Sequence, residues 1–365
     1  MTWLSWRQLR TQAAVLAAAA LVALVAVGAT GPRIRDLRSS AGAGFLSQLQ
    51  FDRTERLLYV VGGLLLLLLP GLVGAFWGAP LLARELESGT FRLAWTQSTT
   101  RTRWLATKLA VAAALVAAGT AVLTFAVGWW AHPIDLAVAR GHGAGRFSAP
   151  RMDPVLFGTR GIVPVGYALF ALAVGATFGL LLRRSVLAMG LTLALVAVVQ
   201  VLVPMELRAR LVAPERRTLV VTAENFAGIQ ARGDGPRDPA SSITRLVVDG
   251  AGSGDWQLTS DTVDGTGSVV QSLPAWVFDC GGGPPPDVSQ GPPPSGPVTR
   301  TAQQGGDAAR QACFTRLRNE GYRQLVVIQP ASHFWALQLR ETGLLLLASA
   351  LLCGLCFWRV GRDFS

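Results

Sequence analysis

Residues 57–79, LLYVVGGLLLLLLPGLVGAFWGA, run six consecutive leucines into Pro70 and hold no charged side chain. As an α-helix rising 1.5 Å per residue, such a run crosses the roughly 30 Å hydrocarbon core of a bilayer. A helix apolar on every face belongs in lipid or deep in a large core. The rest of the chain decides between the two.

Outward from this stretch, five more runs have the same character: 13–31, 109–131, 162–182, 186–203 and 342–358. The first is rich in alanine and follows Arg7 and Arg10; it is longer than the apolar part of a cleaved leader and reads as a retained span. The 365 residues are 51% hydrophobic and only 15% charged, where a soluble domain carries about 25% charged residues. A surface facing water everywhere is excluded. The formal net charge of +11 sits in short clusters beside the apolar runs, as anchored spans require. There is no continuous basic stripe, so membrane lipid rather than nucleic acid is the expected partner.

With the N-terminus inside, the inner segments hold Arg7, Arg10, Arg84, Arg92, Arg101, Arg103, Lys108, Arg183, Arg184, Arg359 and Arg362. The short outer loops hold Arg33, Arg35, Arg38, Arg53, Arg56, Arg140, Arg146, Arg151 and Arg160. That balance is close. Arg183 and Arg184 fill the tightest turn, and a cysteine pair in the long insert suits an oxidising exterior. The expected topology is a multi-pass plasma-membrane protein with both termini cytoplasmic.

The insert, 205–335, is long enough for its own core. It divides the chain into 1–204, with five spans, and 336–365, with the sixth span and a tail. Strands are expected at 218–222, 244–248 and 324–328, and a helix at 308–319 with Ala309, Cys313, Phe314 and Leu317 on one face. The tract 281–297, GGGPPPDVSQGPPPSGP, cannot build a core and reads as an exposed loop. Cys280 and Cys313 flank it; a disulfide there would stabilise by roughly 3–4 kcal/mol, the alternative being two thiols. The fold class is therefore an all-α membrane protein of six spans plus an inserted extracytoplasmic α+β domain between the fifth and sixth.

The chain's only lysine, Lys108, lies in ATKL, without the glycines of a phosphate-binding loop. The span centres carry no Asp, Glu, His or Arg, only groups such as Thr120, Thr124, Thr177, Thr192 and Gln200, which disfavours proton or sodium coupling. No catalytic set, metal set or cofactor motif emerges: His132, His142 and His333 are scattered, and Cys353 and Cys356 sit inside an apolar span as packing residues. Work done across the membrane would then draw energy from another subunit. Gly74/Gly78 and Gly175/Gly179 have GxxxG spacing for close helix approach, within one chain or between two.

Two charged segments stand out. Trp3, Trp6 and Arg7 suit an interfacial helix, or simply a belt at the start of the first span. In 80–108, a helix bearing Arg84, Glu85 and Glu87 breaks at Gly89 and restarts after Thr90, forming either a charged elbow or a solvated loop.

Residues 79–105, APLLARELESGTFRLAWTQSTTRTRWL, closely resemble a segment of actinobacterial type-2 ABC transporter permeases. The opening WLSWRQ (3–8) and QPASHFWALQLRE (329–341), which leads into the last span, are similar to theirs too. The resemblance implies a permease that pairs with a second permease, identical or not, and docks on a separate cytoplasmic ATP-binding subunit. Arg84, Glu85, Glu87, Gly89 and Thr90 would then lie at or near the docking surface, and the N-terminal stretch would be the interfacial elbow helix. The 205–335 insert replaces or extends that family's compact outer helices, which leaves the cargo open. Competing classes are a receptor or signalling subunit that senses a ligand through the insert, and a membrane-embedded enzyme.

Overall fold

A computed structural model describes residues 2–89, 100–143, 145–232, 242–249, 252–281 and 300–363. The chain separates into two units: Met1–Ala213 with Ala331–Ser365, and Pro214–Pro330.

In the first unit the helices over the first, second, third and sixth apolar runs extend well past the hydropathy limits, and those over the fourth and fifth match them to within a residue. Helix α1 is Thr2–Ala41, followed by a short α2, Phe45–Phe51. Helix α3, Arg53–Val73, starts at the cap Asp52, whose Oδ1 accepts the Thr54 N–H at 3.0 Å. It passes through a wider π turn at Gly74–Gly78 into α4, Ala79–Ser88. Helix α5 is Arg101–Ala139, capped by the Thr100 hydroxyl. After the short α6, Pro154–Phe157, come α7, Val163–Leu182, and α8, Ser185–Leu202. A second π turn, Val203–Leu207, leads into α9, Arg208–Leu211. The unit closes with a last helix, Phe334–Asp363.

Among the described residues, six helices are long and apolar enough to cross a membrane. The 39 residues of α5 would reach about 58 Å at 1.5 Å per residue, so its charged ends continue the helix beyond any hydrocarbon layer. Charge at the flanks had marked the ends of the apolar runs, not the ends of the helices.

Helix α7 is the hub. In its most apolar window 72% of residues are buried, against 17% in the first, fifth and sixth spans. Glycines explain how α7 sits so close to its neighbour. A Cβ on Gly175 would stand 2.2 Å from the Gly74 carbonyl oxygen, one on Gly78 2.6 Å from that of Leu172, and one on Gly179 2.3 Å from that of Ala79. The two GxxxG pairs therefore face each other within one chain. Helix α1 lies against α5 in a similar way: a Cβ on Gly119 would meet Leu16 at 2.1 Å, and the Trp130 indole donates to the Thr30 hydroxyl at 2.9 Å.

In the second unit, β1 is Glu215–Val220, β2 Phe226–Arg232, β3 Ser242–Val248 and β4 Trp256–Val263. Helix α10, Arg300–Asn319, is followed by β5, Arg323–Gln329. The last helix of the first unit, Phe334–Asp363, is accordingly α11. An antiparallel sheet has the order β1-β5-β4, and β2 pairs with β3 separately. Side chains join the two sheets: the Leu246 N–H donates to Thr262 Oγ1 at 3.0 Å, and Gln324 Nε2 donates to the Leu246 carbonyl at 3.2 Å. These two polar groups stand in for a missing ladder. Val221, Ile243, Phe314, Leu317, Val326 and Ile328 fill the core between α10 and the sheets.

Cys280 and Cys313 are disulfide-bonded with Cα atoms 5.4 Å apart. Most of the tract 281–297 lies outside the described residues. Strands β2 and β4 were not anticipated. The first contains Gly228 and two alanines, and the second carries Ser260 and Asp261, so neither shows a β-branched run.

Candidate coupling site

The end of α4 is where the charged segment 80–108 becomes a defined object. Leu82 is buried against Trp104, Leu105, Leu180, Cys356 and Val360, so the elbow rests on α5, α7 and α11 together. Above this floor the chain runs out of helix at Gly89. Its φ of +69° is left-handed, which glycine adopts without a Cβ penalty.

Glu85 turns inward and forms an ion pair with Lys108 of α5; the two side chains are 16% and 5% exposed. The Lys108 ammonium also lies 5.0 Å from the Trp104 ring centroid, a cation–π distance. Glu87 reaches the next turn of the bundle. Its Oε1 accepts the Ser185 backbone N–H and its Oε2 accepts the Ser185 hydroxyl, both at 2.7 Å. Ser185 opens α8, so the carboxylate satisfies an N–H that has no partner inside the helix and meets the positive end of its dipole. The turn before it is tightened by Arg183 at φ +51°.

The elbow is thus tied to α5 through Glu85 and to α8 through Glu87, while Arg84 stays exposed. Thr90 lies outside the described residues. Trp3, Trp6 and Arg7 share the continuous backbone of α1, and their side chains fall outside the described residues. Lys108 and Ser185 were not singled out as partners. The signal for Lys108 was its being the only lysine; for Ser185 there was none.

A model of the family described as ABC-2 membrane transporter related matches residues 12–208. The chain belongs to that family. The match takes in the first five spans and the elbow, and leaves Pro214–Pro330 and α11 outside it. Neither a curated protein nor a solved structure matches the chain. The family is a membrane transport component, in keeping with the six spans.

The opposite end of this ABC-2-related bundle holds a second polar cluster. Arg208 Nε and Nη2 donate to the two oxygens of Glu341 at 2.7 and 2.9 Å, and Nη1 donates to the Pro154 carbonyl at 2.8 Å. Tyr167 Oη donates to Glu341 Oε1 at 3.0 Å. One turn away, Gln338 Oε1 accepts the N–H groups of Ile162 and Val163, both at 2.9 Å, and its Nε2 donates to the carbonyls of Phe157 and Arg160. Arg208, Gln338 and Glu341 are all fully or nearly fully buried. The expectation of an uncharged interior holds for the span centres, but the bundle does bury charge beyond them. Arg208 and Glu341 fall outside the limits 186–203 and 342–358, and the sequence alone singled out neither.

Proposed function

We propose that this chain is the membrane-spanning permease subunit of an ABC-type exporter, driven by a separate ATP-binding subunit that docks on the elbow ending at Gly89. The observation that carries this reading is the double attachment of α4, by Glu85 to α5 and by Glu87 to α8. A push on this elbow is passed to two spans at once, as a converter of a partner's closing stroke requires. The family match supports the same role.

Because Glu85 and Glu87 already have partners inside the chain, the docking contact falls to Arg84 and the turn at Gly89 and Thr90. In this reading the termini and the elbow face the cytoplasm of a plasma-membrane protein, and Pro214–Pro330 faces outside, where its disulfide persists. The thinly buried spans α1, α8 and α11 supply surface for lipid and for a second permease.

The test is copurification with the cognate ATP-binding subunit, read together with ATP hydrolysis by the complex and movement of lipophilic dyes in vesicles. Arg84→Glu is expected to cut copurification at least about tenfold, the effect of reversing one charge at a contact centre, with the thermal midpoint unchanged. Unchanged copurification would remove Arg84 from the docking surface. ATP turnover by the isolated chain would overturn the division of labour.

A further inference from the structure

Between α3, α7 and α8 the first unit has a lateral crevice of about 420 Å³, within the range of small-ligand sites. Leu66, Leu67 and Leu68 form one wall, and Ala197 and Val201 the other. Its rim residues Leu68, Val201 and Met205 are 58%, 55% and 69% exposed, so the mouth opens sideways, in the direction of lipid. Its lining includes acceptors that are short of a donor among the described residues. Gln200 Nε2 is committed to the Leu67 carbonyl at 2.8 Å, which leaves Gln200 Oε1 as an acceptor, and no partner for it is found among the described residues. Pro70 withdraws the N–H that would meet the Leu66 carbonyl, and Pro204 does the same for the Gln200 carbonyl. Both residues line the crevice.

The charges at its upper end cancel. Arg208 lines the crevice but is held by both oxygens of Glu341. A head group of either sign therefore meets no free counter-charge, whereas a neutral donor meets a waiting acceptor.

We propose that this crevice binds a neutral single-chain amphiphile, its alkyl chain along the leucine wall and a hydroxyl or amide N–H donating to Gln200 Oε1. The inference rests on the chemistry of the cavity and is independent of the transport reading.

The test uses the full chain in nanodiscs, without any ATP-binding subunit, and three diazirine-bearing probes: a long-chain alcohol, its methyl ether and the corresponding fatty acid. The alcohol is expected to label peptides covering 64–72 and 197–205 about fivefold more than the ether or the acid, the factor that one hydrogen bond supplies. Gln200→Leu is expected to abolish that preference. Val201→Trp, at an exposed rim position, is expected to block labelling of both peptides while the chain stays folded. Equal labelling by alcohol and ether, labelling spread evenly over all six spans, or a preference that survives Gln200→Leu would each overturn the proposal. So would protection of the crevice by a second copy, seen as efficient chain-to-chain crosslinking through Val201→Cys with no probe labelling.

Discussion

The two ends of the membrane unit are held by the same kind of bond in different company. At the elbow, Lys108 meets Glu85 across a short stretch of chain, with one of the two side chains still 16% exposed. At the other end, Arg208 and Glu341 are 0% and 1% exposed; Tyr167 and the Pro154 carbonyl bond to the pair, and Gln338 one turn away holds the backbone beside it. A bidentate arginine inside a satisfied network is fixed in direction as well as in distance. The Lys108 ammonium is a point charge, so its pairing with Glu85 fixes distance more than direction. The comparison teaches where this bundle is locked and where it can give. The lock also ties α9, which leads out to Pro214, to α11, where the chain returns.

The largest effect is expected from breaking the lock. Arg208→Ala should cost about 3–5 kcal/mol, because it strands a buried carboxylate, and should appear as loss of folded protein by size-exclusion chromatography. Replacing both partners, Arg208→Met with Glu341→Leu, should recover most of that loss. Equal loss in single and double variants would show that the pair does not define this end.

Next comes the middle of the bundle. Gly175→Ala places a methyl 2.2 Å from the Gly74 oxygen, and forcing the helices apart should cost about 1–3 kcal/mol. A smaller drop in thermal midpoint than that of Gly119→Ala, whose Cβ meets the Leu16 side chain rather than backbone, would contradict the close backbone contact.

Lys108→Met should cost less again, about 1–2 kcal/mol for a lost charge-assisted bond, because Glu85 keeps 16% exposure to water. The smallest change in stability is expected from Glu87→Gln. Its carboxylate is exposed, so the thermal midpoint should hold, while in the proposed complex with an ATP-binding subunit the coupling of hydrolysis to transport should fall as the tie to Ser185 weakens. A midpoint shift as large as that of Arg208→Ala would erase the contrast between the two ends.

How much of this was legible in advance depended on the range of the interaction. The six spans could be read because twenty apolar residues in a row need no tertiary context. Gly89 could be read as a helix stop for the same local reason. The partners of Glu85 and Glu87 could not: one is a lysine on the next helix, the other a backbone N–H exposed only because α8 starts there. Gly74, Gly78, Gly175 and Gly179 announced close approach but not to what. Strands β2 and β4 escaped notice because their pairing, with β3 and β5, supplies what their composition lacks.

By itself, the sequence determined six apolar runs long enough to cross a membrane, with a long polar insert before the last. Those properties follow from the cost of placing charge and unpaired backbone in hydrocarbon, which any stretch of chain meets alone. Only the tertiary structure decided that the glycine pairs meet each other, that Arg208 finds Glu341 across 133 positions, and that the elbow is fastened to two helices. Each of these is a match between groups far apart in the chain, and no local pattern records a distance that exists only after folding.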